Sequence, residues 1–245
     1  MLHNTKGIVL RNVKYGETSI IVSVFTELLG LQSYLINGVR TASKKGSNKS
    51  SLFQPAAILD LISYHNEFKN LQRLKEYKWD YLYQNIFSDV LKNAVAVFMI
   101  ELLNKCLKQP EPQPDLFYFT EDALHHVDSS NERVTANFPI YFALHLPVFF
   151  GFRINDEFSE DKHYLDLEEG NFIDHQPVHQ NYLDGKEAQI ISHILKIMHP
   201  AELEELSMNQ EMRRRIMNAI EDFYFFHVPE FGRMKTIPIL REILS

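Results

Sequence analysis

The hydrophobic pattern of the chain changes its period at Trp79. Before this residue, apolar and polar side chains alternate in short segments separated by turns, which is the period of β-strands. After it, apolar side chains recur every three or four residues, which is the period of helices that pack on one face. We therefore expect an α+β chain with two domains: strands over residues 1–79 and an α-helical domain over residues 80–245.

The first domain reads as five strands, and its length suits a small barrel. The strands are predicted over Thr5–Val13, Thr18–Thr26, Leu31–Asn37, Gln54–His65 and Asn70–Tyr77. Five short strands in about 75 residues are typical of a closed OB-type β-barrel, whose open face binds oligonucleotides, although an SH3-like barrel fits the same pattern. The sequence therefore predicts an N-terminal OB-type five-stranded β-barrel.

The second domain reads as helices interrupted by one small β insertion. The helices are predicted over Tyr83–Cys106 (with a start as early as Trp79), Leu116–Val127, Arg133–Phe152, Lys186–Met198, Asn209–Val228 and Ile237–Leu244. Prolines within Gln109–Pro114 end the first of them, since no helix continues through such a segment. Residues 151–185 are acidic, and the stretch YLDLEEGNFID within them predicts a β-hairpin that turns at Glu169-Gly170.

Charge is distributed unevenly along the chain. The net charge is −7, yet residues 1–80 hold 11 Lys and Arg against 6 Asp and Glu, whereas the remainder holds 14 against 26. This asymmetry indicates that the N-terminal end meets a polyanion.

Surface cations and flat side chains make up the candidate nucleic-acid site. The loop Gly38–Ser51 has no acidic residue and no apolar face to bury, so it must lie on the surface. The candidate DNA-binding residues are Arg11, Lys14, Arg40, Lys44, Lys45, Lys49, Arg73 and Lys75. Tyr15, Tyr34, Tyr77 and Trp79 are the candidates for stacking on bases, with burial in the core as the alternative.

No motif for catalysis or metal binding is present in the sequence. It has no phosphate-binding Walker loop, no Gly-x-Gly-x-x-Gly, no His-Glu-x-x-His and no Gly-x-Ser-x-Gly, and we expect no enzyme and no cofactor. Cys106 is the single cysteine, which excludes a disulfide and a cysteine zinc site. The Arg213–Arg215 run is flanked by Glu211 and Glu221, which favours a solvated helix face. Without a long apolar run or a signal peptide, the expected location is the cytoplasm.

Several of these segments resemble the RecO family of bacterial recombination and DNA repair proteins. The resemblance lies in Ile8-Val9-Leu10, Tyr15-Gly16-Glu17, Thr26 with Gly30, Gly38-Val39-Arg40, Ser51–Leu61 and the terminal Phe226–Leu240, where Thr236 replaces the usual serine. Many family members carry a four-cysteine zinc ribbon in the helical domain. This chain lacks the cysteines, so the resemblance implies that its hairpin is a zinc-free insertion.

The resemblance also implies a function and partners. RecO-like proteins bind single- and double-stranded DNA, anneal strands, join RecR and help load RecA onto DNA coated with single-strand-binding protein. A hydrophobic pocket of their helical domain takes the acidic C-terminal tail of that single-strand-binding protein, and Arg153, beside several phenylalanines, is the candidate for this contact. Two alternatives remain open: an RNA-binding OB module, and a protein–protein adaptor that does not touch nucleic acid.

Overall fold

The computed structural model describes residues 1–39 and 49–244. The chain divides into two compact units. One unit combines Met1–Gln84 with Leu107–His125, and the other combines Asn85–Cys106 with His126–Ser245.

A five-stranded antiparallel sheet builds the first unit. Its strands are β1 (Leu2–Tyr15), β2 (Ser19–Thr26), β3 (Gly30–Ile36), β4 (Ile58–Tyr64) and β5 (Arg73–Trp79), in the spatial order β3-β2-β1-β4-β5. The predicted closure of the barrel is not formed: the edge strands meet only through one isolated parallel bridge, between Tyr34 and Gln72. The long strand β1 pairs with β4 along its first half and with β2 along its second, with a bulge between Val9 and Arg11.

The alternating side chains of the strands explain why this sheet forms. Val22, Val24 and Tyr34 are completely buried on one side of the sheet, together with Leu59 and Leu61 of β4. A 3-10 turn over residues 49–53 adds the buried ring of Phe53.

Six helices are described in the chain. They are α1 (Val90–Cys106), α2 (Pro114–Ser129), α3 (Glu132–His145), α4 (Gly185–Lys196), α5 (Gln210–His227) and α6 (Thr236–Ile243). The helix expected from Tyr83 or earlier begins only at Val90, and the one expected to run to Phe152 ends at His145, where a 3-10 turn follows. No described helix is both long and apolar enough to cross a membrane.

The acidic insertion forms a small antiparallel sheet in the second unit. Its strands are β6 (Tyr164–Asp166), β7 (Asn171–Ile173) and β8 (Tyr182–Leu183), in the order β7-β6-β8. Leu165 and Phe172 are buried beneath it. Over the described residues, no group of three or more His, Cys, Asp or Glu side chains is arranged to hold a metal. That this sheet takes the place of a zinc ribbon stays a prediction.

Candidate functional site

Two of the candidate cations lie on the second half of β1. Arg11 and Lys14 are exposed, and they stand opposite Ser23 and Ile20 of β2. Neither side chain has a hydrogen bond or carboxylate partner among residues 1–39 and 49–244. An exposed cation without a counter-ion retains its full attraction for a phosphate.

The other described cations lie on β5, an edge strand, whereas β1 is the central strand of the sheet. Arg73 begins β5 and pairs with Tyr64, which in turn pairs with Leu2 at the start of β1. The segment of β1 from Leu2 to Arg11 is about 30 Å long at roughly 3.3 Å per residue. Arg73, beside the start of β1, therefore lies toward the other end of this strand from Arg11. Lys75 is the extra residue of a β-bulge, and its ammonium lies 3.7 Å from the carboxylate of Glu76.

The cations of the basic loop lie outside what the structure describes. Arg40, Lys44 and Lys45 are not among the described residues, and Lys49 is described only as the first residue of the 3-10 turn. Their role in DNA binding stays a prediction.

The four candidate stacking residues differ in accessibility. Tyr34 is 0% exposed within the sheet's core, so its ring cannot meet a base. Tyr15 is 53% exposed beside the first turn. Tyr77 and Trp79 are partly exposed and line the same groove.

Arg153 lies on the surface of the second unit. Its Nε donates a hydrogen bond of 3.2 Å to Oδ1 of Asn155. The neighbouring Phe152 packs on Phe223 and stacks on the ring of His227. Arg153 does not line the apolar cavity of this unit.

That cavity lies among α3, α5 and α6, and we call it the arginine pocket. It has a volume of about 40 Å³. Its lining residues are Ala136, Pro139 and Ile140 of α3, Gln210, Arg213, Arg214 and Met217 of α5, and Ile237, Leu240, Arg241 and Leu244 at α6. Each group begins with the i, i+3, i+4 spacing that brings side chains to one helix face.

Arg213 and Arg241 enter the pocket without carboxylate partners in the described part of the chain. Arg213 donates from Nη2 to Oδ1 of Asn137 at 3.2 Å, and Arg241 donates to Oδ1 of Asn218. The Nε atoms of both arginines are buried and have no hydrogen-bond partner there. Burial lowers the pKa of Arg213, but an arginine guanidinium stays charged in a folded protein. Each guanidinium has amide oxygens as acceptors but no counter-ion among the described residues. A partly buried charge without a counter-ion is costly, so this pocket favours an anion.

Arg215, in the same run of arginines, differs from Arg213 because it has a carboxylate partner. Arg215 lies 2.8 Å from the carboxylate of Glu187, and it does not line the pocket. The prediction that the whole Arg213–Arg215 run is a solvated face is therefore wrong for Arg213, whose side chain is partly buried. The flanking Glu221 does not neutralise it, because that carboxylate accepts from Arg233 and from the backbone of Met234.

The first unit carries exposed cations on its five-stranded sheet, and the second unit carries an apolar pocket lined by arginines. Such cationic surfaces are typical of proteins that bind polyanions. The family models "Recombination protein O N terminal" and "Recombination protein O C terminal" match residues 1–83 and 88–236. The chain belongs to the RecO family of DNA repair and recombination proteins.

Relatives within this family match along their full length. The DNA repair protein RecO of Bacteroides fragilis is 31% identical, and that of Phocaeicola vulgatus is 29% identical, each over 100% of both chains. The DNA repair protein RecO of Christiangramia forsetii is 30% identical with the same coverage.

Proposed function

We propose that the chain is a recombination mediator. It binds single- and double-stranded DNA, anneals complementary strands and, with RecR, helps load RecA onto DNA coated with single-strand-binding protein. Two observations in a chain of this family carry the proposal. In the first unit, Arg11 and Lys14 are exposed and have no carboxylate partner among residues 1–39 and 49–244. In the second unit, the apolar arginine pocket favours an anion. The protein would act in the cytoplasm.

Annealing on such a surface needs no catalytic group and no cofactor. Two DNA strands repel one another, and a cationic surface lowers this repulsion while it leaves the bases free to pair. Residues 1–79 would supply that surface, including the predicted contacts of Arg40, Lys44, Lys45 and Lys49. The OB domain would also bind RecR, and residues 80–245 would bind the tail of single-strand-binding protein.

We place the acidic tail of single-strand-binding protein in the arginine pocket. A chain terminus offers a carboxylate, which matches the unpartnered Nε atoms of Arg213 and Arg241. The apolar wall, with Ile140, Met217 and Leu240, suits an apolar terminal side chain. Arg153, away from this pocket, is the competing candidate for the same contact.

A labelled acidic peptide with an apolar last residue and a free terminal carboxylate tests this placement. Arg213→Ala and Arg241→Ala should each weaken its binding about tenfold or more, since each removes a charge-assisted hydrogen bond. Arg215→Ala is the matched control and should bind normally, as should Arg153→Ala. Loss of binding in Arg153→Ala alone would move the tail to the surface around that residue.

Replacing Arg40, Lys44, Lys45 and Lys49 together with alanine tests the DNA-binding half of the proposal. Affinity for single-stranded DNA should fall sharply, and each lost phosphate contact should reduce the log–log salt slope by about 0.7. An unchanged affinity would remove the loop from the DNA site.

A further inference from the structure

A groove beside the edge strand β5 contains two of the candidate stacking residues, Tyr77 and Trp79, and no specific ligand has been assigned to it so far. It lies in the first unit and has a volume of about 930 Å³. Its floor and rim include Leu52, Asp60, Lys75, Tyr77 and Trp79. The groove is thus wide, partly aromatic and open at the edge of the sheet.

The two aromatic side chains share one side of β5. Tyr77 stands opposite Leu61 and Trp79 opposite Leu59, so both rings project from the face that carries the buried leucines. The ring of Tyr77 rests on that of Phe53, with centroids 4.9 Å apart. This contact fixes Tyr77 from the inside, and Trp79 extends the aromatic floor two residues further along the strand.

The charges of the groove are balanced. Lys78 lies 3.2 Å from the carboxylate of Asp60, and Lys75 lies 3.7 Å from that of Glu76. A groove whose cations have such neighbours attracts phosphates only weakly. What it offers a nucleic acid is the flat surface of its rings, and base stacking on aromatic rings tolerates any sequence.

From these observations we propose that the groove binds unpaired bases of single-stranded DNA, with Trp79 as the principal stacking residue and Tyr77 as its support. In a duplex the base faces are already stacked on one another, so only a single strand can present them to Trp79. The groove therefore offers single strands a contact that a duplex cannot make, whereas Arg11, Lys14 and the basic loop would bind the phosphates of either form. This inference rests on the proposed DNA binding and names a specificity-determining residue for it.

The chain contains one tryptophan, so its intrinsic fluorescence reports on this residue alone. Titration of the full-length protein with oligothymidine should strongly change the fluorescence of Trp79, because a stacked base quenches the indole. A blunt duplex, bound to saturation as judged by anisotropy, should leave it nearly unchanged. An equal change with both DNA forms would overturn the assignment, as would no change with bound oligothymidine.

Variants separate stacking from mere structural support. Trp79→Leu should weaken single-strand binding about tenfold, the loss of roughly one stacked base, with an unchanged salt slope. Its affinity for the duplex should stay the same. Trp79→Phe keeps a flat ring and should bind nearly as well as the parent, and Phe225→Leu, an exposed aromatic of the other unit, is the matched control.

The possible failures are distinguishable. If anisotropy shows tight single-strand binding but Trp79→Leu binds as the parent does, the groove assignment is wrong and the proposed mediator function stands. If Trp79→Leu lowers the affinity for single-stranded and duplex DNA equally, Trp79 supports the fold and does not bind unpaired bases. If the parent protein binds neither DNA, the proposed function itself is wrong.

Discussion

Glu101 of α1 holds the N-terminal end of α6, and its replacement should disable the arginine pocket. Its carboxylate accepts hydrogen bonds from the backbone N–H of Lys235 at 2.9 Å, from the backbone N–H of Thr236 at 2.9 Å, and from Oγ1 of Thr236 at 2.6 Å. The first N–H groups of a helix have no acceptor within the helix, and a carboxylate there also interacts favourably with the helix dipole. Glu101→Ala removes all of these contacts.

The expected magnitude follows from the number and exposure of the lost bonds. Hydrogen bonds to a charged group contribute about 1.5–3 kcal/mol each when buried, and those of Glu101 are partly exposed. We expect Glu101→Ala to lower the free energy of unfolding by about 2–4 kcal/mol. Because α6 brings Leu240 and Arg241 to the pocket, tail-peptide affinity should fall at least tenfold.

Urea unfolding and peptide anisotropy measure the two effects. Thr236→Ser retains the hydroxyl donor and should match the parent in both assays. DNA binding should be unaffected by either substitution, because the proposed DNA contacts lie in residues 1–79. A Glu101→Ala protein with parental stability and parental tail affinity would refute the reasoning.

Two further substitutions test the packing of each unit. Gly30 has φ +63°, and an added Cβ would lie 2.3 Å from the carbonyl oxygens of Pro110 and Glu111, so Gly30→Ala should cost about 2–4 kcal/mol in urea unfolding. Gly16→Ala is its control, with φ +61° but nothing within 4 Å, and should cost only about 1 kcal/mol. Burial lowers the pKa of His145, so the folded state binds its proton less readily than the unfolded state. The neutral, buried imidazole contributes its full stability above a pH of about 6.5, and this contribution is lost as the pH falls through the lowered pKa. The difference in unfolding free energy between the parent and His145→Gln should therefore shrink from pH 7.5 to pH 5.5. An unchanged difference would contradict this.

The number and order of the five strands were predictable from the period of apolar residues, but not all of their bounds. β1 runs from Leu2 to Tyr15 instead of Thr5 to Val13, and β4 begins at Ile58 instead of Gln54. Apolar alternation placed β2 within one residue of both its observed ends, at Ser19 and Thr26. The start of α1 was not predictable in this way. Oδ1 of Asp128 accepts the backbone N–H groups of Asn85 and Ile86 and holds that segment outside the helix. A contact between residues some 40 positions apart cannot be recognised from the local spacing of apolar residues.

The arginine pocket could have been predicted in part. Arg213, Arg214 and Met217 share a helix face by spacing alone, but charge signs in sequence do not reveal which carboxylate reaches which cation. Glu221 faces away to Arg233 and the backbone of Met234, and this arrangement depends on the path of the chain after α5. The sequence also could not show that Tyr34 lies inside the sheet, since both faces of β3 carry apolar residues.

The most direct test of the account is the binding of a labelled single-stranded DNA oligonucleotide across a salt series, beside RNA of the same sequence. The account predicts tight DNA binding that weakens steeply with salt, with a log–log slope of roughly −0.7 for each neutralised phosphate, and a loss of affinity when Arg11 and Lys14 become alanine. Absence of binding even at low salt would contradict the central claim and leave a protein–protein adaptor. A strong preference for RNA would replace the DNA mediator with an RNA-binding module.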